Sequence, residues 1–260
     1  MISNPLRQLF DLTDKVALVT GGGSGLGQAM AEGFALYGAA VSVVDLDADK
    51  AEQVATEINA RGGKAVAVPC DVVDEDQVQL AFSKSVEALG QLDILVANAG
   101  IGAQSPAVKL PSEEWHRVLD INLNGVWLCN QAMGQHLIGR GSGGSIINTA
   151  SVAGLVGLRE GIAHYSASKG GVVALTRHLA IEWASHNIRV NAIAPTHFRT
   201  PPVFRLAEQK EFADYFMGNI PLGRMGEVED IVGPAVFLAS TASAMVTGHI
   251  LTVDGGHTAT

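Results

Sequence analysis

Residues 16–27 read VALVTGGGSGLG, so a short apolar run passes directly into five glycines within seven positions. The apolar run has the composition of a buried strand, and a helical pattern begins near residue 26. Gly21 suits the tight turn between them, Gly25 lets a ligand come close to the backbone, and Gly27 permits close packing of helix on sheet. A glycine cluster alone can be an ordinary turn. Its position between a strand and a helix predicts a phosphate-binding turn for a dinucleotide.

The same alternation of apolar runs and helical patterns continues along the chain. The predicted strands are Val16–Thr20, Ala40–Asp45, Ala65–Pro69, Ile94–Ala97, Ser145–Thr149, Arg189–Ile193 and Ile250–Val253. The predicted helices cover residues 26–37, 48–61, 74–89, 112–136, 163–186 and 227–240, with Asp74 and Ser112 as N-caps. Such alternation builds right-handed crossovers. We therefore expect an α/β fold with one Rossmann-type, doubly wound parallel sheet of about seven strands, helices on both faces, and a single domain over residues 1–260.

One segment breaks this regular pattern. Residues 195–225 contain four prolines around a short helical stretch. In doubly wound sheets the ligand binds beyond the carboxyl ends of the strands, where such loops gather. We expect residues 195–225 to form a lid over the substrate.

The composition argues against several other classes of protein. The chain has 260 residues, 47% of them hydrophobic and 17% charged, and a formal net charge of -9. An acidic chain without a concentrated basic stripe is not expected to bind nucleic acid. Cys70 and Cys129 have no metal-site spacing, so we expect buried, reduced thiols and no metal. Because there is no signal-peptide pattern and no apolar run of about 18 residues, we expect a cytoplasmic protein without a membrane contact.

The end of the second predicted strand bears on the choice of cofactor. Asp45 lies 24 residues after Gly21. A carboxylate there can accept hydrogen bonds from the adenosine ribose and repels a 2′-phosphate, which predicts NAD. The alternative is that Asp45 only ends the strand and caps the next helix. Asp71 and Val72 are predicted to flank the adenine, and residues 98–100 to form the floor beneath the cofactor.

Chemistry at a carbinol or carbonyl carbon needs a group that exchanges the proton of the attached oxygen. Tyr165 and Lys169 are four residues apart on a predicted helix and therefore share a face. A nearby ammonium favours the phenolate form of a tyrosine. Ser151, just after the fifth strand, can hydrogen-bond the reacting oxygen. A YxxxK pattern alone is common on exposed helices, but its place 14 residues beyond Ser151 favours an acid–base site.

Together these motifs resemble those of the short-chain dehydrogenase/reductase family. The matching segments are TGGGSGLG (20–27), DV (71–72), ANAG (97–100), INLNG (121–125), Ser151, YSASK (165–169), RVNAIAP (189–195) and VDGG (253–256). The resemblance implies that Tyr165 is the general acid/base and that Lys169 supports it and holds the nicotinamide ribose. It also implies that Ser151 orients the substrate oxygen, that Asn122 anchors a proton-relaying water, and that Thr200 contacts the carboxamide.

The resulting set of expected cofactor contacts is large. It comprises Gly21, Ser24, Gly25, Leu26, Gly27, Asp45, Leu46, Asp71, Val72, Asn98, Ala99, Gly100, Tyr165, Lys169, Pro195, Thr196, Phe198 and Thr200. Two positions depart from the family pattern. The usual NNAG is ANAG here, and the usual PG is Pro195-Thr196. Because a β-branched residue disfavours positive φ, the second change predicts an altered entry into the lid.

Basic residues lie in the two predicted walls of the substrate cleft. Arg159 follows the predicted catalytic serine, and His197 and Arg199 belong to the lid. A guanidinium there suits a carboxylate, sulfonate or phosphate, so the substrate can be anionic. The alternative is that these arginines are solvated or paired with Glu208 and Glu211.

The ends of the matched region narrow the expected substrate class. LFDLTDKVALVTG and GPAVFLASTASAMVTGHILTVDGG look most like sugar, sugar-acid and polyol dehydrogenases of this family. The resemblance implies an NAD-dependent oxidoreductase that interconverts a hydroxyl and a carbonyl on such a small molecule. A 3-oxoacyl thioester reductase is the alternative within the family, and a non-catalytic nucleotide sensor the alternative outside it. The resemblance also implies a homotetramer through helices 112–136 and 163–186. His164 is a further candidate substrate contact, with packing as its alternative.

Overall fold

The computed structural model describes residues 8–159, 161–200 and 217–260. Seven strands form one parallel sheet: β1 (Val16–Thr20), β2 (Ala40–Asp45), β3 (Lys64–Pro69), β4 (Ile94–Ala97), β5 (Gly144–Thr149), β6 (Ile188–Pro195) and β7 (Ile250–Val253). Their order is β3-β2-β1-β4-β5-β6-β7. In the centre, Val19 pairs with Val43 on one side and Val96 on the other. The predicted strand set and fold class are confirmed, with small shifts at the strand ends.

Helices cover both faces of the sheet, which is why the central strands β1 and β4 are almost entirely apolar, with the sequences VALVT and ILVA. In chain order they are α1 (Gly25–Leu36), α2 (Ala48–Ala60), α3 (Glu75–Leu89), α4 (Ser112–Leu119), α5 (Gly125–Arg140), α6 (Ala163–Glu182) and α7 (Val232–Ala239). Buried residues of α1, α2 and α7 form one core with the sheet, and those of α3, α5 and α6 form the other. Within the described residues, no helix is both long enough and apolar enough to cross a membrane.

The prediction that Ser112 is an N-cap is wrong. Ser112 is the first residue of α4, and the N-cap is Pro111, whose ring fixes φ at −65° so that the helix starts directly after it. The Ser112 hydroxyl instead lies 3.3 Å from Nδ1 of His116. Asp74, by contrast, caps α3 as predicted, accepting a hydrogen bond from the Gln77 amide at 3.1 Å.

Three predicted helices have different boundaries or contain another turn. The helix expected over 112–136 contains a π-turn at Asp120–Asn124 and continues to Arg140, where Gly141 in the left-handed conformation ends it. The helix expected over 163–186 stops at Glu182 and is followed by a separate 3₁₀ turn, Ala184–His186. The first turn of the helix expected over 227–240 is a 3₁₀ turn, Val228–Ile231. Such tight or wide turns leave no clear periodic signal in a sequence.

The sheet order locates the crevice in which this fold binds ligands. The chain moves outward in opposite directions from the neighbouring strands β1 and β4, so the connections after them separate at their carboxyl ends. The glycine-rich turn follows β1 and residues 98–100 follow β4. Both predicted cofactor segments therefore meet at the switch point of the sheet.

Candidate active site

The glycine-rich turn is built around close backbone contacts. Gly21 has a φ of +62°, which a residue with a side chain rarely adopts. A Cβ at Gly27 would lie 2.0 Å from the Gly21 carbonyl oxygen, so the start of α1 can approach the turn only without a side chain there. The hydroxyl of Thr20 accepts hydrogen bonds from the amides of Asn98 (3.0 Å) and Ala99 (3.1 Å), which fastens the segment after β4 to the turn.

The N-terminus of α1 is open to a ligand. Ser24 is the N-cap residue, but its side chain makes no capping hydrogen bond among the described residues. The first amides of the helix, with their partial positive charge, are therefore not capped by Ser24 and suit a phosphate group. Thr200 borders this turn, because its Cγ2 would lie 3.3 Å from a Cβ placed on Gly25. These residues fit a dinucleotide pyrophosphate.

Asp45 contacts the same turn through its carboxylate. Oδ2 accepts a hydrogen bond from the Gly23 amide at 2.9 Å, and Oδ1 accepts one from the Asp47 amide at 3.0 Å. A Cβ on Gly23 would lie 2.9 Å from Oδ2, so this contact also requires glycine. Asp47 is the N-cap of α2, and its carboxylate also pairs with Lys50 at 2.8 Å. Asp45 thus does more than end its strand, and another residue caps the helix.

The other predicted cofactor residues lie around this crevice with different exposures. Val72 is buried beneath the start of α5, where a Cβ on Gly125 would lie 2.7 Å from its Cγ2. The Asp71 carboxylate accepts a hydrogen bond from the Val73 amide at 3.2 Å. Leu46 is exposed, whereas Leu26 and Pro195 are at least partly buried. Phe198 is buried, and its ring would contact a Cβ on Gly226.

Tyr165 and Lys169 lie on one face of α6, as their spacing predicts. Nζ of Lys169 is 5.8 Å from the centroid of the Tyr165 ring. The same Nζ donates a hydrogen bond to the carbonyl oxygen of Thr149, the last residue of β5, at 2.7 Å. Lys169 is only 3% exposed, and burial lowers the pKa of its ammonium group to about 8.

Asn122 occupies the middle of the π-turn, with its side chain fully buried. Its amide oxygen accepts a hydrogen bond from the Ile101 amide (2.8 Å), and its amide nitrogen donates one to the Ile101 carbonyl (2.9 Å). The nitrogen also reaches the hydroxyl of Ser168 on α6, at 3.3 Å. A Cβ on Gly100 would lie 3.2 Å from Oδ1 of Asn122 and 3.6 Å from Nζ of Lys169. The π-turn therefore brings Asn122 beside the lysine.

Ser151 begins the short turn that follows β5. Its Oγ accepts a hydrogen bond from the Ala153 amide at 3.1 Å, and the residue is 7% exposed. This turn packs closely on α6, because a Cβ on Gly154 would lie 2.6 Å from the carbonyl carbon of Lys169. Ser151, Asn122, Tyr165 and Lys169 are thus carried by elements that meet at one end of the sheet.

Thr196 has the backbone conformation that a β-branched residue favours, and the predicted change at the entry into the lid stays a prediction. Among the described residues other than glycine, only Asp14 and Asn187 have positive φ, so Thr196 adopts an ordinary conformation. Its amide donates a hydrogen bond to Val253 of β7 at 3.3 Å. Its hydroxyl lies 2.7 Å from Nδ1 of His257. The β-branched side chain therefore makes a specific contact with the C-terminal turn.

The candidate substrate residues have different surroundings. Arg199 pairs with Glu227 at 3.2 Å in a half-exposed ion pair. Residues 201–216 of the predicted lid, including Glu208 and Glu211, lie outside the described residues. His164 is fully buried, and neither ring nitrogen has a hydrogen-bond partner among the described residues. The ring of His197 lies 6.1 Å from that of His257. Arg159 is exposed on the wall of a cleft of about 510 Å³.

Four residues of the site were absent from the sequence prediction. Thr20 and Thr149 end strands β1 and β5, and a polar residue at the carboxyl end of a buried strand is a signal that identifies such positions. Ser168 lies within the YSASK segment and links Asn122 to the Tyr165 carbonyl through hydrogen bonds of 3.3 and 2.7 Å. His257 has no comparable signal, because its partner Thr196 is 61 residues away in the sequence.

The arrangement can hold a dinucleotide and move a proton. The turn after β1 and the uncapped start of α1 suit the pyrophosphate, and the Asp45 carboxylate lies beside them. A tyrosine, a buried lysine and a serine lie on elements that meet at the same end of the sheet. In the part of the chain that the structure describes, no group of three or more His, Cys, Asp or Glu side chains is arranged to hold a metal ion.

Comparison with known proteins shows relatives along almost the whole chain. A family model described as enoyl-(acyl carrier protein) reductase matches residues 21–258. The 5-keto-D-gluconate 5-reductase of Escherichia coli (strain K12) is 38% identical over 251 residues, which cover 96% of this chain and 98% of that protein. The D-threitol dehydrogenase of Mycolicibacterium smegmatis is 41% identical over 249 residues, which cover 96% of this chain and 95% of that protein.

Solved structures agree with these sequence relatives. A short-chain type dehydrogenase/reductase from Mycobacterium marinum has a TM-score of 0.94 and 40% identity, covering 98% of this chain and 100% of that one. A gluconate 5-dehydrogenase from Burkholderia cenocepacia J2315, in complex with NADP and tartrate, has a TM-score of 0.93 and 38% identity, covering 97% and 98%. The chain therefore belongs to the short-chain dehydrogenase/reductase family and is an oxidoreductase.

Proposed function

We propose that the protein is an NAD-dependent dehydrogenase that interconverts a secondary or hemiacetal hydroxyl and a carbonyl on a sugar, sugar acid or polyol. The observation that carries the proposal is the position of Lys169, buried between the Thr149 carbonyl and the ring of Tyr165. A buried cation beside a phenol is an acid–base arrangement. The substrate class is supported by relatives that are described as acting on 5-keto-D-gluconate and D-threitol.

In this proposal the cofactor lies along the crevice at the switch point of the sheet. The contacts are those expected from the sequence, with Gly21, Gly25 and Gly27 at the pyrophosphate and residues 98–100 beneath it. When bound, the nicotinamide accepts or supplies the hydride of the reaction. Lys169 also holds the nicotinamide ribose, and Thr200 at the start of the predicted lid contacts the carboxamide.

Side chains of the protein transfer the proton of the substrate hydroxyl. During oxidation the phenolic oxygen of Tyr165 takes the proton of the substrate hydroxyl, and during reduction it returns it. Ser151 orients the reacting oxygen through its hydroxyl. The ammonium form of Lys169 stabilises negative charge on the Tyr165 oxygen. Asn122, fixed on both sides by Ile101, anchors a water that carries protons to and from the lysine.

Asp45 supports NAD as the cofactor, because its carboxylate would face a 2′-phosphate at close range. Lys50 is an argument for NADP, because its ammonium group pairs with Asp47 next to the same turn. Three solved structures that contain NADP belong to relatives with 38–40% identity. The proposal therefore rests on the two backbone hydrogen bonds that hold the Asp45 carboxylate in place.

Two other functions are alternatives to this dehydrogenase activity. The second candidate substrate is a 3-oxoacyl thioester; the description of the family model, enoyl-(acyl carrier protein) reductase, shares with it only the acyl group as substrate. A non-catalytic nucleotide sensor is disfavoured, because such a protein has no need for a buried lysine beside a tyrosine.

We also propose a homotetramer that works in the cytoplasm as one domain, with residues 195–225 as its substrate lid. Both helices expected at the subunit contacts expose large apolar side chains. Trp127 on α5 is 39% exposed, and Ile181 on α6 is 80% exposed. Apolar side chains of this size on neighbouring helices suit burial against a second copy of the chain. The buried free cysteines suit a reducing compartment.

The test is a panel of reactions followed by the absorbance of the reduced cofactor. Aldonic acids, sulfonated sugars, neutral sugars and polyols are offered with NAD+ and with NADP+ at mildly alkaline pH, and a 3-oxoacyl thioester is offered with NADH and NADPH. We expect turnover of at least one member of the first group with NAD+. Turnover of the thioester alone would replace the proposal by the second candidate, and no turnover at all would contradict it.

A further inference from the structure

Thr149, the last residue of β5, lies beside the residue that follows β4. In the parallel pairing of these strands Ala97 lies opposite Asn148, so Asn98 and Thr149 are the next pair along the two chains. The Thr149 hydroxyl donates a hydrogen bond to Oδ1 of Asn98 at 3.2 Å. Both residues are partly buried. The contact therefore joins two neighbouring strands at the edge of the sheet where the proposed cofactor crevice lies.

Asn98 extends this contact to the glycine-rich turn. Its side-chain nitrogen donates hydrogen bonds to the carbonyl oxygens of Thr20 (3.1 Å) and Gly21 (3.3 Å). A carbonyl oxygen only accepts hydrogen bonds, so the amide must present its nitrogen to the turn and its oxygen to Thr149. The same nitrogen would lie 2.6 Å from a Cβ on Gly27 and 3.1 Å from a Cβ on Gly21, so it occupies the space that these glycines leave open.

The main chain of Thr149 makes a separate contact. Its carbonyl oxygen accepts the hydrogen bond from Nζ of Lys169 at 2.7 Å. The hydroxyl of Thr149 thus leads through Asn98 to the turn proposed for the pyrophosphate, and its carbonyl leads to the acid–base pair. Because a substitution changes the side chain and leaves the carbonyl in place, the two contacts can be tested separately.

Thr176 is a threonine with similar hydrogen bonds in a purely structural setting. It is fully buried on α6, where its hydroxyl donates to the Val172 carbonyl at 2.8 Å and accepts from Nδ2 of Asn148 at 3.0 Å. These bonds join α6 to β5 and include no residue of the glycine-rich turn. Loss of the Thr176 hydroxyl should therefore affect stability without affecting the cofactor.

We propose that Thr149 is a positioning residue for the cofactor: its hydroxyl orients the Asn98 amide, and this amide holds the glycine-rich turn in the conformation that binds the pyrophosphate. The inference rests on the proposed function, because it assigns the support of the proposed cofactor site. Without the hydroxyl, Oδ1 of Asn98 loses this hydrogen bond. The amide can then rotate and bring its oxygen toward the carbonyl oxygens of Thr20 and Gly21, where two acceptors face each other and no hydrogen bond forms.

The test compares two ligands that occupy different parts of the proposed site. ADP carries the adenosine and the pyrophosphate but lacks the nicotinamide ribose that Lys169 is proposed to hold. The dissociation constant of NADH is measured by fluorescence, and that of ADP by displacement of NADH. We expect Thr149→Val to raise both constants about three- to tenfold, the range of one hydrogen bond. Thr149→Ser keeps a hydroxyl, and both constants should stay within about twofold of the wild-type values.

Further measurements separate positioning from structural loss. With saturating NAD+ and the best substrate of the panel above, kcat of Thr149→Val should fall less than about threefold, because the carbonyl that binds Lys169 is retained. In an Asn98→Ala background, Thr149→Val should not change the NADH dissociation constant, because the hydroxyl acts through Asn98. Thr176→Val is the matched control, which should unfold at a lower urea concentration but bind NADH and ADP as the wild type does. Each variant is first shown to unfold cooperatively in urea.

The contrary outcomes distinguish this inference from the proposed function. Unchanged constants in Thr149→Val, or a rise for NADH without one for ADP, would overturn the inference and leave the proposed function intact. So would equal rises in Thr176→Val, or a full effect of Thr149→Val in the Asn98→Ala background. A wild-type protein that binds neither NADH nor ADP would instead contradict the proposed function, and the inference with it.

Discussion

Nζ of Lys169 lies 2.7 Å from the carbonyl oxygen of Thr149, and this hydrogen bond fixes a nearly fully buried lysine at the carboxyl end of β5. The same nitrogen is 5.8 Å from the centre of the Tyr165 ring. Burial lowers the pKa of this ammonium to about 8. A buried ammonium group lowers the stability of the protein, and such a cost is found at sites where the charge has a chemical role.

The first prediction follows from this cost. The pKa of Lys169 is about 8 in the folded enzyme, against an ordinary value of 10.5 for an exposed lysine. The cost of burying the charge is therefore complete below pH 8, where both states bind the proton, and it falls as the pH rises toward 10.5. We expect Lys169→Met to abolish activity and to remove this cost, which is about 3 kcal/mol near pH 7 from the size of the shift.

The measurement is urea unfolding of cofactor-free wild type and Lys169→Met at pH 7.5 and pH 9.5. Titration of the other groups, including the two cysteine thiols whose pKa burial raises, cancels in the difference. The free energy of unfolding of Lys169→Met minus that of the wild type should be about 2 kcal/mol smaller at pH 9.5 than at pH 7.5. A difference that does not change with pH would show that Lys169 is not buried as a titrating group.

The second prediction concerns cofactor choice. Wild-type enzyme should have a kcat/KM at least about tenfold higher with NAD+ than with NADP+, near 1.4 kcal/mol. Asp45→Asn should lower the efficiency with NAD+ and narrow the ratio, because it removes the charge that repels a 2′-phosphate. Asp49→Asn, at an exposed site on α2, is the control and should leave the ratio unchanged. Equal efficiency of the wild type with both cofactors would refute the assignment to Asp45.

The third prediction concerns the π-turn. Asn122→Leu removes the hydrogen-bond partners of both the amide and the carbonyl of Ile101. Because each buried unsatisfied group costs about 1–3 kcal/mol, the free energy of unfolding in urea should fall by at least that amount. The activity should fall as well, because the segment beside Lys169 is released. Asn124→Leu, at an exposed position of the same turn, should change stability by less than about 0.5 kcal/mol. Similar losses in both variants would mean that the turn is merely sensitive to substitution.

The fourth prediction compares two glycines. A Cβ on Gly27 would lie 2.0 Å from the Gly21 oxygen, so Gly27→Ala must displace the turn that holds the pyrophosphate. Its dissociation constant for NADH, followed by fluorescence, should rise at least about tenfold. Gly233 on α7 has nothing within 4 Å of a Cβ, and Gly233→Ala should raise the free energy of unfolding by roughly 0.5–1 kcal/mol. Unchanged NADH affinity in Gly27→Ala would contradict the cofactor site.

The sequence predicted the sheet well because the central strands are buried on both faces and are mostly apolar, β1 and β4 almost entirely so. It also predicted that Tyr165 and Lys169 share a face, since that depends only on helical spacing. It did not predict the π-turn around Asn122, whose geometry follows from tertiary hydrogen bonds to Ile101. The family pattern also did not predict the contact of Thr196 with His257, because the two residues become neighbours only when β6 and β7 pair.

The proposal that Tyr165 exchanges the proton of the substrate is tested most directly by Tyr165→Phe, which removes one oxygen atom. With the best substrate of the panel, kcat should fall by more than about 100-fold, the usual contribution of general acid–base catalysis. The dissociation constant for NADH should stay within about threefold of the wild-type value, and Tyr37→Phe, at a tyrosine that is 41% exposed, should leave both quantities unchanged. A Tyr165→Phe enzyme with near-normal kcat would contradict the proposed mechanism.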